Sequence, residues 1–453
     1  MRPVPRRLLR LSSVLVVVCG VSFGGYQAWR AWQAHTVRAW IRDHSLPLAG
    51  VDPRVEDSDL APLGAQLQGV RIVALGEQTH DTHEFFLLKH RLLKYLVTRL
   101  GFRAFVLEAS RARCRPINDY VLYGRGDLNQ VVHGQGFFTW DTKEFADLVE
   151  WMRDYNRGVS DAQKIQFFGM DVQLIEPAIA TIDAYLKKLD SRDAEDARSA
   201  LKLISAEVEK NPFLHPLSSE HGLRLHRAAA TIENFLDLHR HQLARRGASE
   251  FAIVRTDAHQ MAQLTDSIGS SFAFFDKRDT YMAENVRDLL DQLGPQARIV
   301  LWAHNYHISA ARPPHSALPM GELLRSWYGP AYFAIGFSFG RGSFRARPWP
   351  TMQGPAVAMA AHPPDEGSVD NYLDRACAGR CTFPYLLVLR HGDDDAPRSV
   401  HAWLHSGQAM RTIGANYDSG LRQPLDTYHL VPAQTFDALA YVPESSPSIP
   451  LPP

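Results

Sequence analysis

"ALGEQTHDTHEFFLLKHRL", residues 74–92, closes an apolar run that begins at Arg71 and stops at Gly76. Glu77, His80, Asp81, His83 and Glu84 follow at once, where a strand ends and a helix begins. Local structure accounts for two of these groups. Asp81 as N-cap, with Glu84 three residues on, forms a capping-box-like pair, and both acids suit the positive end of a helix dipole. Glu77 and His80 precede the helix, so capping does not explain them. A histidine on such a turn, oriented by a carboxylate three residues earlier, is equipped for general-base chemistry. A buried Glu–His hydrogen bond that only pins the turn is the competing explanation, and the local sequence leaves both open.

The same punctuation recurs along the chain. "FRAFVLEAS" (102–110), "KIQFFGMDVQ" (164–173) and "ARIVLWAHNYHI" (297–308) are β-rich runs, each ending in polar residues. Between them lie helix-period segments such as "KEFADLVEWMRDYN", with Phe145, Leu148, Val149 and Met152 on one face. Strands alternating with helices predict an α/β fold with a largely parallel central sheet flanked by helices. Ligands bind in the crevice beyond the carboxyl ends of such strands. Glu77, Glu108, Asp171 and His304 all fall at those ends, which predicts one shared site. "YFAIGFSFG" and "FPYLLVLR" read as two further strands. Residues 176–293 are helical in pattern and are expected to form a subdomain over the crevice. The Pro-rich tail, 446–453, is expected to be disordered.

Composition excludes several functions. At 45% hydrophobic and 22% charged the chain is globular, and 453 residues suffice for two domains or one large α/β unit with insertions. Lys+Arg and Asp+Glu are both 49, a balance that argues against nucleic acid as a partner, since phosphate binding needs a basic surface. No phosphate-binding glycine loop is present.

Residues 1–35 form a separate segment. Arg2, Arg6, Arg7 and Arg10 precede sixteen uncharged residues, "LSSVLVVVCGVSFGGY", and Tyr26, Trp29 and Trp32 close it. No small-residue cleavage site is evident, which favours an uncleaved membrane anchor over a cleaved signal. Either places residues 36–445 outside the cytoplasmic membrane, anchored to it or periplasmic or secreted. Cys377 and Cys381 are expected either to close a small disulfide loop or to remain two thiols.

His304 and His307 in "AHNYHI", with His80 and His83, make two H-x-x-H pairs. Glu77, Glu108 and Asp171 could complete a divalent-metal site, but this spacing fixes no ligand geometry. "GFSFG" at 336–340 matches the nucleophile-elbow pattern around Ser338, yet "RGSFRARPWP" follows where that motif requires a helix. Ser338 is therefore not assigned as a nucleophile.

The stretch "VALGEQTHDTHEFFLLKHRLLKYLVTRLGFRAFVLE" strongly resembles the defining segment of the erythromycin esterase family. "FFGMDV", "DTYMAENV", "WAHNYHI", "LPMGELL" and "GSVDNYL" continue the resemblance, which covers residues 60 to 442. The family's best-known members hydrolyse the lactone ester of macrolide antibiotics. The resemblance implies a histidine general base at His80 with Glu77 beside it, and further site positions at Glu84, Glu108, His304 and His307. A basic residue often arginine in the family falls on Lys89, which replaces a planar fork by a point charge.

These readings give a hydrolase of a small carboxylic ester or lactone. His80 would deprotonate water, His304 or His307 would stabilise the oxyanion or protonate the leaving alcohol, and Glu108 would orient one histidine. Glu84, Lys89 and Asp171 are expected at the substrate, and no cofactor or metal is assigned. Two rivals are a metal-dependent hydrolase on the same residues and a non-catalytic envelope or polysaccharide-associated binding protein. A membrane anchor is unexpected in an enzyme dedicated to inactivating an antibiotic.

Overall fold

Alternation of buried side chains builds the central sheet. Val73, Leu75, Phe105, Leu107, Val300, Trp302, Phe333 and Ile335 join one core cluster. Their chain neighbours Ile72, Ala74, Ala104, Val106, Ile299, Leu301, Tyr332 and Ala334 join another. Successive residues of a strand face opposite ways, so strands apolar at every position must be covered on both faces. The computed structural model describes residues 6–189, 192–214, 218–268, 271–349, 354–377, 379–390, 395–418 and 427–452, without the side chains of 6–24, 193, 219, 271–273 and 275.

Among the described residues the strands are β1 (Ser45–Pro47), β2 (Ile72–Leu75), β3 (Ala104–Ser110), β4 (Gln166–Asp171), β5 (Ile299–Trp302), β6 (Tyr332–Pro348), β7 (Val357–Ala360), β8 (Tyr385–Val388), β9 (Gln408–Arg411), β10 (Asn416–Tyr417), β11 (Thr427–Leu430) and β12 (Ala438–Ser445). The main sheet runs β1-β8-β12-β6-β2-β5-β3-β4, with β7 and β10 added to β6. From β12 to β4 every pairing is parallel. β8 lies antiparallel to both β12 and β1.

Among the described residues the α-helices are α1 (Arg6–His44), α2 (Ala61–Gln66), α3 (His83–Leu100), α4 (Arg111–Tyr123), α5 (Leu128–His133), α6 (Lys143–Arg157), α7 (Glu176–Lys187), α8 (Asp193–Val208), α9 (Ser219–Leu238), α10 (Arg240–Arg246), α11 (Ala248–Ser267), α12 (Ser271–Leu293), α13 (Asn305–Ile308), α14 (Met320–Tyr328), α15 (Val369–Asp374), α16 (Arg398–Leu404) and α17 (Pro432–Thr435). Phe86 and Leu92 of α3, Ile117 of α4 and Phe145 of α6 cover one face of the sheet. Val37, Trp40 and Ile41 of α1, Met282 and Val286 of α12, and Met320 of α14 cover the other. Each fully buried large side chain contributes about 1.5–3 kcal/mol.

The α/β architecture with a largely parallel sheet matches the sequence expectation, and the helical stretch from residue 176 is present. Helices α7 to α11 have their own core, including Ile182, Ile204, Ile232 and Met261. Helix α12, expected to belong to that subdomain, joins both layers: Phe274 packs in the subdomain core, while Met282, Val286 and Leu290 lie on the sheet.

Three expectations are corrected. Asp81 is not the N-cap of α3; Thr82 holds that position, without a side-chain cap. Glu84 forms no capping box, because its carboxylate accepts from Ser446 N at 2.7 Å and Ser446 Oγ at 2.6 Å. The tail is therefore not disordered over its described residues: His83 N bonds Ser446 O, Lys143 N bonds Ile449 O, and Leu451 N bonds Asp141 O. Acids read as serving the helix dipole serve this returning segment, which follows β12 and makes isolated bridges at Pro447 and Pro450.

Cys377 and Cys381 are joined in a disulfide. The side chains of the proposed anchor before Gly25 lie outside the described residues. Among the described residues no helix is long and apolar enough to cross a membrane.

Candidate active site

Four adjacent parallel strands, β4, β3, β5 and β2, bring their carboxyl ends to one place. β2 ends at Gly76, where a Cβ would lie 2.1 Å from Asn305 Oδ1 and 3.1 Å from Ile335 O. Only glycine allows this approach. Asn305, just past β5, in turn ties the end of β2 to the interior of β6: its N–H donates to Glu77 O at 2.8 Å, and its amide group exchanges bonds with the backbone of Phe337 at 2.8 and 2.9 Å.

The turn beyond Gly76 presents Glu77. Its Oε1 lies 2.7 Å from His80 Nδ1. Its Oε2 accepts from Lys89 Nζ at 2.5 Å and from Trp302 Nε1 at 2.6 Å. Glu77 is fully buried; burial alone would raise its pKa, but Lys89 and His80 outweigh burial and hold it below the usual range. Lys89 reaches this spot from α3 and lies 4.1 Å from the Trp302 ring centroid. Burial lowers its pKa to about 8, with Glu77 opposing. His80 retains 15% side-chain exposure where Glu77 retains none. With Nδ1 donating to Glu77, Nε2 is left as the acceptor.

A second charged group sits on β3, β4 and α12. Asp171 accepts Arg278 Nε at 3.0 Å and Nη2 at 2.9 Å, a two-point clamp on the guanidinium. Arg278 Nη2 also donates to Glu108 Oε1 at 2.8 Å. His307 bridges Asp279, 2.8 Å from Nδ1, and Glu108, 3.1 Å from Nε2. Burial opposes its charge, yet Asp279 and Glu108 raise its pKa to about 10, so it stands as an imidazolium. Burial would raise the Glu108 pKa, but His307 and Arg278 hold it well below the usual range. Arg278 is held more firmly protonated by Asp171 and Glu108 despite its burial.

His304 differs. Its Nε2 lies 3.2 Å from both Gln78 O and Ile413 O, and Nδ1 accepts from Tyr306 N at 3.3 Å as N-cap of α13. Burial, reinforced by His80 and His307, lowers its pKa to about 3. It is a neutral imidazole donating Nε2–H to two carbonyls, and both nitrogens are occupied by backbone. Its ring lies beside that of His80, with centroids 5.0 Å apart and the planes tilted by 49°.

The structure thus gathers Glu77, His80, Lys89, Glu108, Asp171, His304 and His307. Lys89 and Asp171, expected at the substrate, have no exposed side-chain surface and hold Glu77 and Arg278 instead. Glu84 stands apart, bonded to Ser446. Ser338 lies inside continuous strand β6 with Oγ on Asp370 at 2.7 Å, not on an elbow. Sequence reasoning missed Arg278, Asp279 and Trp302. The signal was available: Arg278 precedes Met282 and Val286 at four-residue spacing, so a charge lies in register with the apolar stripe of a helix.

Among the described residues no group of three or more His, Cys, Asp or Glu is arranged to hold a metal. The carboxylates that could serve already face the buried cations Lys89, Arg278 and His307. Four carboxylates (Glu77, Glu108, Asp171, Asp279) meet three cations, so with His80 neutral one negative charge is uncompensated. A proton on His80 cancels it. The grooves on the helical insertion, of about 410 Å³ beside Ile179 and Leu201 and about 600 Å³ beside Arg111 and His259, share no residue with this cluster.

Comparison with known proteins agrees with this architecture. The chain is 26% identical to an erythromycin esterase type II of Escherichia coli, covering 66% of this chain and 76% of that protein. It is 24% identical to the putative hydrolase YbfO of Bacillus subtilis (strain 168), covering 67% and 70%. A crystal structure of a Bacillus cereus protein superposes with a TM-score of 0.79 at 25% identity, covering 92% of this chain and 99% of that one. These relatives support a hydrolase. The sequence model of the erythromycin esterase family matches residues 97–445, beginning after the Glu77–His80 turn. Because that match spans well over half its length, the chain belongs to the erythromycin esterase family.

Proposed function

We propose that this chain hydrolyses a carboxylic ester or lactone, with His80 as the general base. The observation that carries the reading is the Glu77–His80 pair. Nδ1 is held at 2.7 Å by a buried carboxylate, Nε2 is left as an acceptor, and the ring is the partly exposed member of an otherwise buried charge cluster. A water proton passes to Nε2 as the water oxygen bonds to the acyl carbon. The intermediate collapses by breaking the acyl C–O bond, and the His80 proton leaves with the alcohol. The buried Glu77 carboxylate at Nδ1 faces the imidazolium formed in the transition state. Arg278 and His307 are held by Asp171, Glu108 and Asp279, three carboxylates against two cations, so they fix the geometry of the strand ends behind His80 and add no net positive charge. No acyl-enzyme is required.

Residues 1–35 are read as an uncleaved anchor that leaves the domain outside the cytoplasmic membrane. The reading rests on the four arginines, the uncharged run and the aromatic residues that follow.

The test uses the full chain in detergent against a panel of esters and macrolactones, beside His80→Ala and with and without EDTA. Turnover that resists EDTA and is lost in the variant, with unchanged thermal unfolding, is expected. A fully active His80→Ala protein would end the proposal, and loss with EDTA would favour the metal-dependent rival.

A further inference from the structure

We infer that the crevice opens toward the bilayer and that its substrate is an amphiphilic acyl ester delivered from the membrane. The substrate half rests on the hydrolase reading above; the orientation does not.

Ser45 of β1 pairs with Leu387, Leu387 with Leu439, and Leu439 with Gly336. Ser45 is therefore level with the strand ends beside Gly76. Seven residues earlier on α1, Arg38 Nη2 already meets Asn371 Oδ1 at 3.4 Å, and its guanidinium lies 5.7 Å from the Tyr372 ring. Both belong to α15, which sits past those strand ends. Its Asp370 accepts from Gln78 Nε2 at 2.6 Å, on the His80 turn, and its Asp374 accepts from Tyr441 OH at 2.8 Å. Going backward, α1 therefore rises beyond the carboxyl ends, on the side where the cluster opens.

Helix α1 is continuous from Arg6 to His44. Its C-terminal turns are fixed in the core through Val37, Trp40 and Ile41. No flexible linker separates the anchor from the domain, so the helix sets the orientation. At about 1.5 Å per residue, Trp32, Trp29 and Tyr26 stand roughly 9, 14 and 18 Å beyond Arg38. They are 61%, 51% and 52% exposed. Large aromatic rings left uncovered on a lone helix, next to an uncharged run and then four arginines, fit a membrane interface. A second protein would not need the arginine and aromatic order that a bilayer requires.

The experiment places single dyes on the full chain in vesicles carrying an acceptor lipid. Cys19→Ser removes one thiol, Cys114 is buried and Cys377–Cys381 is bonded. E366C labels the exposed loop before α15, and Q296C labels the exposed turn at the amino ends of the strands. Energy transfer is expected to be stronger from position 366. In parallel, a flexible insert of about twenty Gly and Ser residues between His35 and Thr36 uncouples anchor from domain. Hydrolysis of a long-chain ester held in vesicles is expected to fall roughly tenfold, while a soluble short-chain ester is cleaved as before. Equal or stronger transfer from position 296 would overturn the orientation. An insert without effect on the vesicle-borne ester would overturn the substrate class. The expected label order without turnover of any ester would support the orientation and sink the hydrolase reading alone.

Discussion

Replacing Lys89 by methionine tests the charge arrangement at its centre. Glu77 is wholly buried and holds three donors: Lys89 Nζ at 2.5 Å, Trp302 Nε1 at 2.6 Å and His80 Nδ1 at 2.7 Å. Methionine keeps the length and apolar contact of the lysine stem against Trp302 and Phe337 but deletes the charge. A buried ion pair broken by removing one partner costs about 3–5 kcal/mol, because the other charge is stranded. Glu77 can escape by taking a proton, but a neutral carboxyl no longer stabilises the imidazolium of His80, so turnover falls instead. Both routes converge on one cycle. Lys89→Met alone is expected to lose about 3 kcal/mol in urea unfolding, or to lose turnover with less destabilisation. Adding Glu77→Gln removes both charges and returns stability to within about 1 kcal/mol of wild type, because a neutral buried pair is nearly cost-free by comparison. Turnover stays low in the double variant, so stability and activity separate. A Lys89→Met protein that is active and within about 1 kcal/mol of wild type would show that Lys89 does not hold Glu77. A double variant no more stable than an inactive, destabilised single one would refute the same reasoning.

Four further outcomes follow. Lys89 carries a pKa of about 8, so wild-type turnover should fall as pH rises through about 8; Lys89→Arg, always protonated, should lack that alkaline limb in a pH–rate profile. His307→Gln should lower unfolding stability by about 3 kcal/mol, because it strands Glu108 and Asp279 without the cation between them. His304→Gln, whose role is to bond backbone carbonyls, should lower unfolding stability and leave kcat within about tenfold, measured on the same preparations. Burial raises the Asp81 pKa from 3.8 to about 8, even though Arg345 Nη1 lies 3.2 Å away without forming a directed hydrogen bond. A raised carboxyl pKa stabilises the fold fully below pH 3.8, and that contribution is lost as pH rises through about 8. Asp81→Asn should therefore be more stable than wild type at pH 9 and flatten the stability–pH curve, as followed by thermal unfolding.

How far the sequence could be read depended on whether the deciding contact was local. β2, β3, β4 and β5 were legible because apolar runs ending in polar clusters need only a strand and a turn. The strand-end rule then placed Glu77, Glu108, Asp171 and His304 together correctly. His80 beside Glu77 was legible for the same reason, since three residues on one turn form that contact. Asp81 and Glu84 were misread because their partners lie more than 360 residues away, in Ser448 and Ser446; sequence spacing makes a capping box the economical reading until a returning segment competes for the same carboxylates. His304 and His307, three residues apart and chemically identical in sequence, divide in space. One donates to carbonyls and is held neutral, while the other lies between Asp279 and Glu108 and is held charged. What separates them is α12, which delivers Arg278 and Asp279 from a segment expected to form a subdomain over the crevice. The two charges stand in the stripe that buries Met282 and Val286, so α12 contributes both to the core of the sheet and to the charge balance of the site. That coupling explains why the charged cluster tolerates burial. Its cations are supplied by helices whose apolar faces are already fixed on the sheet, so holding four carboxylates in place requires no further ordering of the chain. The single surplus negative charge then lies with Glu108, Asp171 and Asp279 around Arg278 and His307, a consequence of packing. The feature on which a base working on water depends is the buried Glu77, which Lys89 holds in place and which fixes His80 Nδ1.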